Sequence, residues 1–482
     1  MTDLPTGWAQ ATLSDIAEVR LGRQRSPKNH TGTSMRPYLR AANVGWSGLL
    51  LDDVKEMNFT DEEAEIYRLE PGDIIMGEAS GSAGEVGKPA LWSGEIDECC
   101  FQNTLIRIRS RGVDPQFLVH YLRYEALRGA FAGDSRGVGI HHLGASRISQ
   151  WPINVPPVAE QRRLVEELQQ HLASLQGVSS KLRSVVLRTT ALREKITGIA
   201  TIGESRHGER VAASLEEAGV DDGELPLLPP GWRWARLGEI AQVVGGITKD
   251  SKKQGDPSFV NVPYLRVANV QRGRLDLEQV STIFVPPKKA EQLYLKHGDV
   301  LLNEGGDRDK LGRGWIWENE IPHCIHQNHV FRARVSGDVL HPKLLAWHAN
   351  NFGKLWCERN GKQSVNLASI SLSKIRLLPV VVPPREIQDG LVDHIENRLT
   401  MTDSVLAGAN SGLRQESVLR RAIMSRAFAG DLVEQYAFEE PASALLASIV
   451  KDQENPKAPR RGGSRRVLAA RSASQAVQET LL

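Results

Sequence analysis

The chain writes one octapeptide twice: PYLRAANV occupies residues 37–44 and PYLRVANV residues 263–270. This constrains the fold more than any bulk property does, because a duplicated sequence folds as a duplicated structure. The echo runs in order along most of the chain. LPTGWAQATLSDIAEV (4–19) is answered by LPPGWRWARLGEIAQV (228–243), and PGDIIMGE (71–78) by HGDVLLNE (297–304). CCFQNTLIRIR (99–109) is answered by CIHQNHVFRAR (324–334), and WPINVPPVAEQ (151–161) by LPVVVPPREIQ (378–388). The result is a tandem repeat of about 200 residues per copy.

Each copy has two parts. The first is strand-rich by pattern: short alternating runs such as 104–108 and 330–334 lie between Gly, Pro and Asp turns, with a few helical stretches such as 115–127. An α+β domain is expected. It stops at a Pro-Pro pair, Pro156-Pro157 or Pro383-Pro384, which cannot continue a strand ladder and suits the start of a helix. The second part reads as one long helix. In copy one the apolar or small positions are Leu164, Leu168, His171, Leu175, Val178, Leu182, Val185, Thr189, Leu192, Ile196 and Ile199. In copy two they are Leu391, Ile395, Leu399, Thr402, Leu406, Ala409 and Leu413, blurring at Glu416 and resuming at Leu419, Ile423 and Ala427. Alternating spacings of four and three make a heptad seam, and two equal seams in one chain pair with each other. Gly177, Gly390, Gly408 and Gly412 weaken these helices, each by about 1 kcal/mol, so pairing must offset them.

The expected boundaries are a first globular domain over 1–155, a long helix over 156–202 and an exposed acidic linker with a short helix over 203–227. A second domain then spans 228–382, a second long helix 383–430, and a basic tail read as disordered 431–482. The tail rests on KAPRRGGSRRVLAAR (457–471), six basic residues and no acid. Charge is unevenly placed elsewhere too: residues 20–40 carry six Arg or Lys and no acid, whereas 204–224 carry seven acids and two Arg. Local basic surface suits a nucleic-acid binder. No apolar run approaches the ~18 residues of a membrane span, and MTDLPTGWAQ lacks the basic start and apolar core of a secretory signal, so a cytoplasmic protein is expected. The four cysteines, Cys99, Cys100, Cys324 and Cys357, form no C-x-x-C pair and are read as reduced and buried.

If the helices pack antiparallel, the two domains fall at opposite ends of a pseudo-two-fold rod of roughly 60 Å, about 43 residues at ~1.5 Å each. The repeated positions (Gly7 and Gly231, Trp8 and Trp232, Tyr38 and Tyr264, Gly72 and Gly298, Asp73 and Asp299) look like scaffold. The polar loops differ: RLGRQRSPKNH against GGITKDSKKQGD, ASGSAGEVGK against GGDRDKLGR, and RGVGIHHLGASR against GKQSVNLASISLSK. Loops that change on an unchanged frame are where recognition lives. A repeat that opens with LP-x-GW, carries PYLR-x-ANV and GD-[IV]-[IL], and closes with PP…Q into a long helix resembles the specificity subunit of Type I restriction-modification systems, over about residues 4–430.

That resemblance implies two target recognition domains on an antiparallel coiled coil. They would read a bipartite, asymmetric double-stranded DNA site, with two methyltransferase subunits docked on the helices. Adenine methylation with S-adenosylmethionine would belong to those partners, and ATP- and Mg-dependent cleavage to a motor subunit, leaving no cofactor on this chain. One departure is PPREIQ, where Ile387 stands in place of Glu160 and puts docking by the second helix in question.

No catalytic or metal constellation competes. Asn261-Val262-Pro263-Tyr264 evokes the base-holding loop of adenine methyltransferases, but copy one has Met35-Arg36-Pro37-Tyr38 there and no cofactor-binding G-x-G turn precedes it. Gly81, Gly84 and Gly87 do not fit a phosphate-binding loop, though such a tip lets backbone approach a phosphate. Asp307, Asp309 and Lys310 have no matching acid pair in copy one, and His141, His142, His323 and His326 lack ligand spacing. DNA chemistry asks for Arg or Lys at guanine and phosphate and Asn or Gln at adenine. The candidates are Arg23, Arg25, Lys28, Lys88, Arg136 and His141 in copy one. In copy two they are Lys249, Lys252, Lys253, Arg308, Lys310, Arg313, Lys362 and Gln363. Arg40 and Arg266, in the shared frame, are structural or phosphate-positioning. The competing expectation is a coiled-coil protein scaffold with no sequence preference for DNA.

Overall fold

A computed structural model describes residues 4–80, 85–131, 141–203, 209–250, 254–363 and 367–454. The chain divides into two compact units, one of Met1–Val178 with Gln415–Leu482 and the other of Ser179–Arg414. In the first, the opening strand Ala9–Thr12 pairs antiparallel with the closing strand Pro152–Val155, so the domain's two ends meet where the long helix begins. Arg233–Arg236 and Pro379–Val382 do the same in the second.

Between them lies the same antiparallel four-stranded sheet, in the order Ala17–Leu21, Leu105–Ser110, Ile74–Gly77, Pro89–Leu91 and, in the second domain, Ala241–Gly245, Val330–Val335, Val300–Asn303, Gly314–Ile316. A three-stranded sheet follows in each, with PYL of PYLR on its central strand: Met35–Leu39 between Lys55–Asn58 and Cys100–Phe101, and Val260–Leu265 between Ser281–Val285 and Ile325–His326. The second domain's Asn261-Val262-Pro263-Tyr264 is therefore sheet interior, with Tyr264 buried. The fold is α+β, repeated strand for strand.

The repeated polar residues hold this frame together. Asn43 donates its amide to the carbonyls of Leu50 (2.8 Å) and Asp53 (3.1 Å), while its oxygen accepts from the Arg40 amide (3.0 Å). Asn269 repeats the clamp on Asp276 (2.8 Å), Gln279 (3.0 Å) and Arg266 (2.9 Å). The Asp of each GD pair is buried and takes a two-pronged bond from an arginine on the neighbouring strand of the sheet: Arg109 to Asp73 at 2.7 and 2.8 Å, Arg334 to Asp299 at 2.6 and 2.7 Å. Buried carboxylates are tolerated only when so paired.

The long helices are Val158–Ile202 and Arg385–Ala429. The glutamine of PP…Q, fully buried in both copies, fastens each to its domain. Gln161 donates to the Pro156 carbonyl (2.9 Å) and accepts from the Asp114 amide (2.9 Å), at the start of helix Pro115–Leu127. Gln388 donates to Pro383 (2.9 Å) and Val339 (3.0 Å) and accepts from His341 (2.6 Å), at the start of helix Pro342–Asn350.

The helices run antiparallel. In the second unit Leu182 faces Gly412, Arg193 pairs with Asp403, and Ile196 and Ile199 share a core with Ile395 and Val392. In the first, Leu164, Val165 and Leu168 pack with Met424, Ala427 and Phe428. Leu164, Leu168, Leu175, Ile196 and Ile395 are buried, and Leu182, Leu391, Leu399, Leu406, Leu413 and Ile423 half-buried.

Val178, Val185 and Leu192 correct the expected seam, being 49%, 38% and 43% exposed, as does Leu419 at 50%. The half-buried positions are Ser179, Val186 and Arg193. After Leu175 the spacing runs four then three rather than three then four. At 3.6 residues per turn both phases sit on one face, and polar Ser179 and Arg193 hide the one adopted.

Two further expectations are corrected. Residues 209–227 are no free linker, and no helix forms among them. Val211 bridges to Leu228, Leu215 and Leu225 pack on Trp232 and Trp234, and Asp221 exchanges hydrogen bonds with Asn360. Asp222 receives both prongs of Arg236 (2.8 Å each) and the Trp356 indole (2.9 Å). The tail is likewise packed as far as residue 454: Ala442–Glu454 is a helix whose Ala442 and Ile449 enter the first domain's core with Leu445 and Leu446, and the Ala442 amide bonds the Gly7 carbonyl (2.8 Å). That 442, 445, 446, 449 spacing is an amphipathic signature outweighed by the basic run after it. The stretch 457–471 lies outside the described residues.

Gln388→Ala strands buried backbone groups and is expected to lower the stability of the second unit by about 1–3 kcal/mol, with Gln161→Ala doing the same to the first, read from denaturant unfolding. Burial raises the Asp222 carboxyl, but Arg236 and Trp356 outweigh it and hold it below the usual carboxylate range. Its contribution is therefore present above the unfolded pKa and lost as pH falls through the folded one. Asp222→Asn should lower the melting temperature at neutral pH, and the difference from the parent should shrink below pH ~4.

Candidate nucleic-acid interface

The loops that differ between copies spring from one place in each domain. In the first, Ala79–Ser80 pairs with His141–His142. In the second, Gly305–Gly306 pairs with Ala368–Ser369, which also pairs with Lys362–Gln363. This small sheet gathers the second and third loops. The first loop joins through parallel bridges from Arg23 to Gln102 and from Ile247 to Gln327.

The candidate contacts fall into distinct groups. Arg25 and Lys28 are exposed, Arg25 donating to the His30 ring (3.1 Å) and Lys28 lying on the single turn Pro27–Asn29. Lys249 is exposed, as are Lys362 and Gln363 on their edge strand. Arg23 is tied down: it pairs with Glu63 at 2.6 Å, donates to the Asn58 carbonyl and lies over the Phe59 ring, with 13% of its side chain exposed. Arg40 pairs with Asp53, Lys88 with Glu85 and Lys310 with Asp307, while Arg308 donates to the Glu358 carbonyl (3.1 Å). Arg266 and Arg313 are half-buried, and burial holds the Arg313 guanidinium below its usual pKa. Arg136, Lys252, Lys253, Gly81 and Gly84 lie outside the described residues, and of His141 only the backbone is described. Sequence proximity to a variable loop does not tell which cations already have a partner.

The four cysteines are buried, and burial pushes their thiols up to about 12, far from a reactive thiolate. Among the described residues, no group of three or more His, Cys, Asp or Glu could hold a metal, and no helix is long and apolar enough to cross a membrane.

Glu160, the acid that Ile387 replaces, turns inward. It is buried and accepts the Trp8 indole N–H (2.9 Å), while Ile387 is exposed at its own site. The substitution thus changes how the helix start is tied to the opening LP-x-GW segment. Nothing in the sequence marks this partner except the Trp of that segment.

Over residues 5–183 the chain matches the sequence model of the Type I restriction modification DNA specificity domain. It is 23% identical to the Type I restriction enzyme StySPI specificity subunit of Salmonella potsdam, over 92% of this chain and 95% of that one. It is 21% identical to the EcoKI specificity subunit of Escherichia coli strain K12, over the same shares. Its fold matches a solved chain described under "Structural basis underlying complex assembly and conformational transition of the type I R-M system", with a TM-score of 0.66 at 19% identity, covering 90% of this chain and all of that one. The specificity-domain match falls on the first copy of the repeat and the first half of its long helix. Over nearly its whole length the chain is similar to Type I restriction-modification specificity subunits.

Burial, only partly offset by the Trp8 bond and Arg163, raises the Glu160 carboxyl. The folded chain holds this proton more tightly than the unfolded one, so the stability it contributes is full below the unfolded pKa and lost as pH rises through the folded one. Glu160→Gln keeps an acceptor for Trp8 and removes the ionisation. It should melt higher than the parent at neutral pH, the gap closing below pH ~4.

Proposed function

We propose that this chain is the DNA-reading, non-catalytic subunit of a Type I restriction-modification enzyme. Each globular domain reads one half of a bipartite, asymmetric duplex site, and the paired helices set the gap and dock two methyltransferase subunits. The observation that carries the reading is a single frame of four- and three-stranded sheets built twice, with different polar loops hung on a small sheet at the corresponding place in each copy. Unequal loops on equal frames make unequal half-sites. The repeat supplies one equivalent helix surface per copy, hence two methyltransferase subunits. Those partners bring S-adenosylmethionine to an adenine of each half-site, and a motor subunit brings ATP and Mg for cleavage. The chain itself works in the cytoplasm.

Mapping methylated adenines in cells that carry this chain with its methyltransferase, and again with the chain deleted, tests the reading. A split adenine motif should vanish on deletion; an unchanged methylome, with the methyltransferase still expressed, would leave the chain a scaffold without sequence preference. Arg25→Ala with Lys28→Ala should weaken recognition of one half-site only and reduce the slope of log K against log salt by up to about 2. Equal loss at both half-sites would contradict independent reading.

A further inference from the structure

The three variable loops of each domain converge on a turn whose first two residues do not vary. Gln102-Asn103-Thr104 in the first domain and Gln327-Asn328-His329 in the second share their Gln-Asn pair. The same four main-chain bonds hold both turns. The Asn103 amide donates to the Arg23 carbonyl and the Asn328 amide to Ile247, each at 3.0 Å. Leu105 N–H closes back on Gln102 O, and Val330 N–H on Gln327 O, each at 2.9 Å. Glu78 N–H donates to Thr104 O and Glu304 N–H to His329 O, each at 2.9 Å. The carbonyl of that same glutamate then accepts from the third loop: Leu143 N–H at 2.8 Å, Ile370 N–H at 2.9 Å.

A glycine presses on each turn from the first loop. A Cβ at Gly22 would stand 2.2 Å from Gln102 O, and one at Gly246 only 1.9 Å from His326 O. The backbone is therefore clamped from three loops at once; of the turn's side chains, Thr104 accepts from the Ala41 amide (3.1 Å) and the His329 ring bonds Glu304 (2.7 Å), while those of the Gln-Asn pair take no part in the clamp. Among the described residues, the side-chain amides of Gln102, Asn103 and Gln327 take no partner, and that of Asn328 meets only the ring of neighbouring His329 (3.3 Å). They are half-buried. Scaffold amides, such as those of Asn43 and Gln161, are by contrast fully spent on the frame.

An amide offers a donor and an acceptor side by side, the complement of adenine N7 and N6 in the major groove. Resting on the DNA-reading function proposed above, we propose that this repeated Gln-Asn turn is a base-reading element common to both domains, which engages an adenine in each half-site while the surrounding loops read the bases that differ. The division explains why two domains with unrelated loops keep one unsatisfied polar pair at the point where those loops meet.

The test uses the full chain assembled with its methyltransferase and a randomised duplex library from which bound sequences are recovered. In the double variant Gln102→Ala with Asn103→Ala, preference at one or two adjacent positions of one half-site should relax by about tenfold to a hundredfold, leaving the other half-site and the gap unchanged. Gln327→Ala with Asn328→Ala should do the reciprocal. Asn103→Asp and Asn328→Asp keep side-chain size and add a carboxylate acceptor, so they should shift the affected position from adenine towards cytosine, and they decide the matter should an alanine variant fold poorly. Recovery of unaltered half-sites from the variants would overturn the proposal while leaving the reading function standing. Uniform weakening on every sequence, in the Asp variants as well, would overturn it as a base contact. A parent complex that selects no sequence at all would instead remove the reading function, and the turn's role with it.

Discussion

Each globular domain depends on the antiparallel pairing of its first strand with its last. That pairing brings chain entrance and exit to one edge, and the buried glutamine of PP…Q then locks the exit to a second helix of the same domain. Because the lock is made by backbone groups and a fully buried amide, the long helix leaves in a set direction rather than on a hinge. The heptad pattern is only useful once that direction exists, since a helix with a marginal seam and several glycines gains most of its order from what it packs against.

Around this joint the chain uses polar groups in two ways. Asn43, Asn269, Asp73 and Asp299 are consumed entirely by the frame, and so recur in both copies. Arg25, Lys28, Lys249, Lys362 and Gln363 stand on loops and edges, exposed to whatever approaches, and differ between copies. Arg23 shows that position in the sequence does not sort a residue into one group or the other. It begins a variable, basic loop, yet its guanidinium is enclosed by Glu63, Asn58 and Phe59.

Much of the fold was legible because its signals are one-dimensional. A repeat needs only alignment, a Pro-Pro stop followed by four-three spacing needs only counting, and the strand-rich reading needs only alternation. The phase of the seam was not legible, since Val178 and Ser179 lie to either side of Leu175, about 60° and about 40° round the helix, and spacing alone admits both. Nor were the straps. Residues 209–227 are acidic and look solvated, but Asp222 is spent on Arg236 and Trp356, which the chain supplies from both sides of the domain. The helix Ala442–Glu454 carries a readable apolar stripe, overshadowed by the basic run that follows it.

By itself, the sequence determined that there would be two equal frames, each followed by a long helix with an apolar seam, and which loops would differ between them. These follow from duplication and periodicity, which survive in a string of letters. Only the tertiary structure decided which charges remain free, that Glu160 serves Trp8 rather than the surface, and that three unlike loops would meet on one repeated turn. Pairings of that kind join residues tens to hundreds of positions apart, and the return path of the chain selects them.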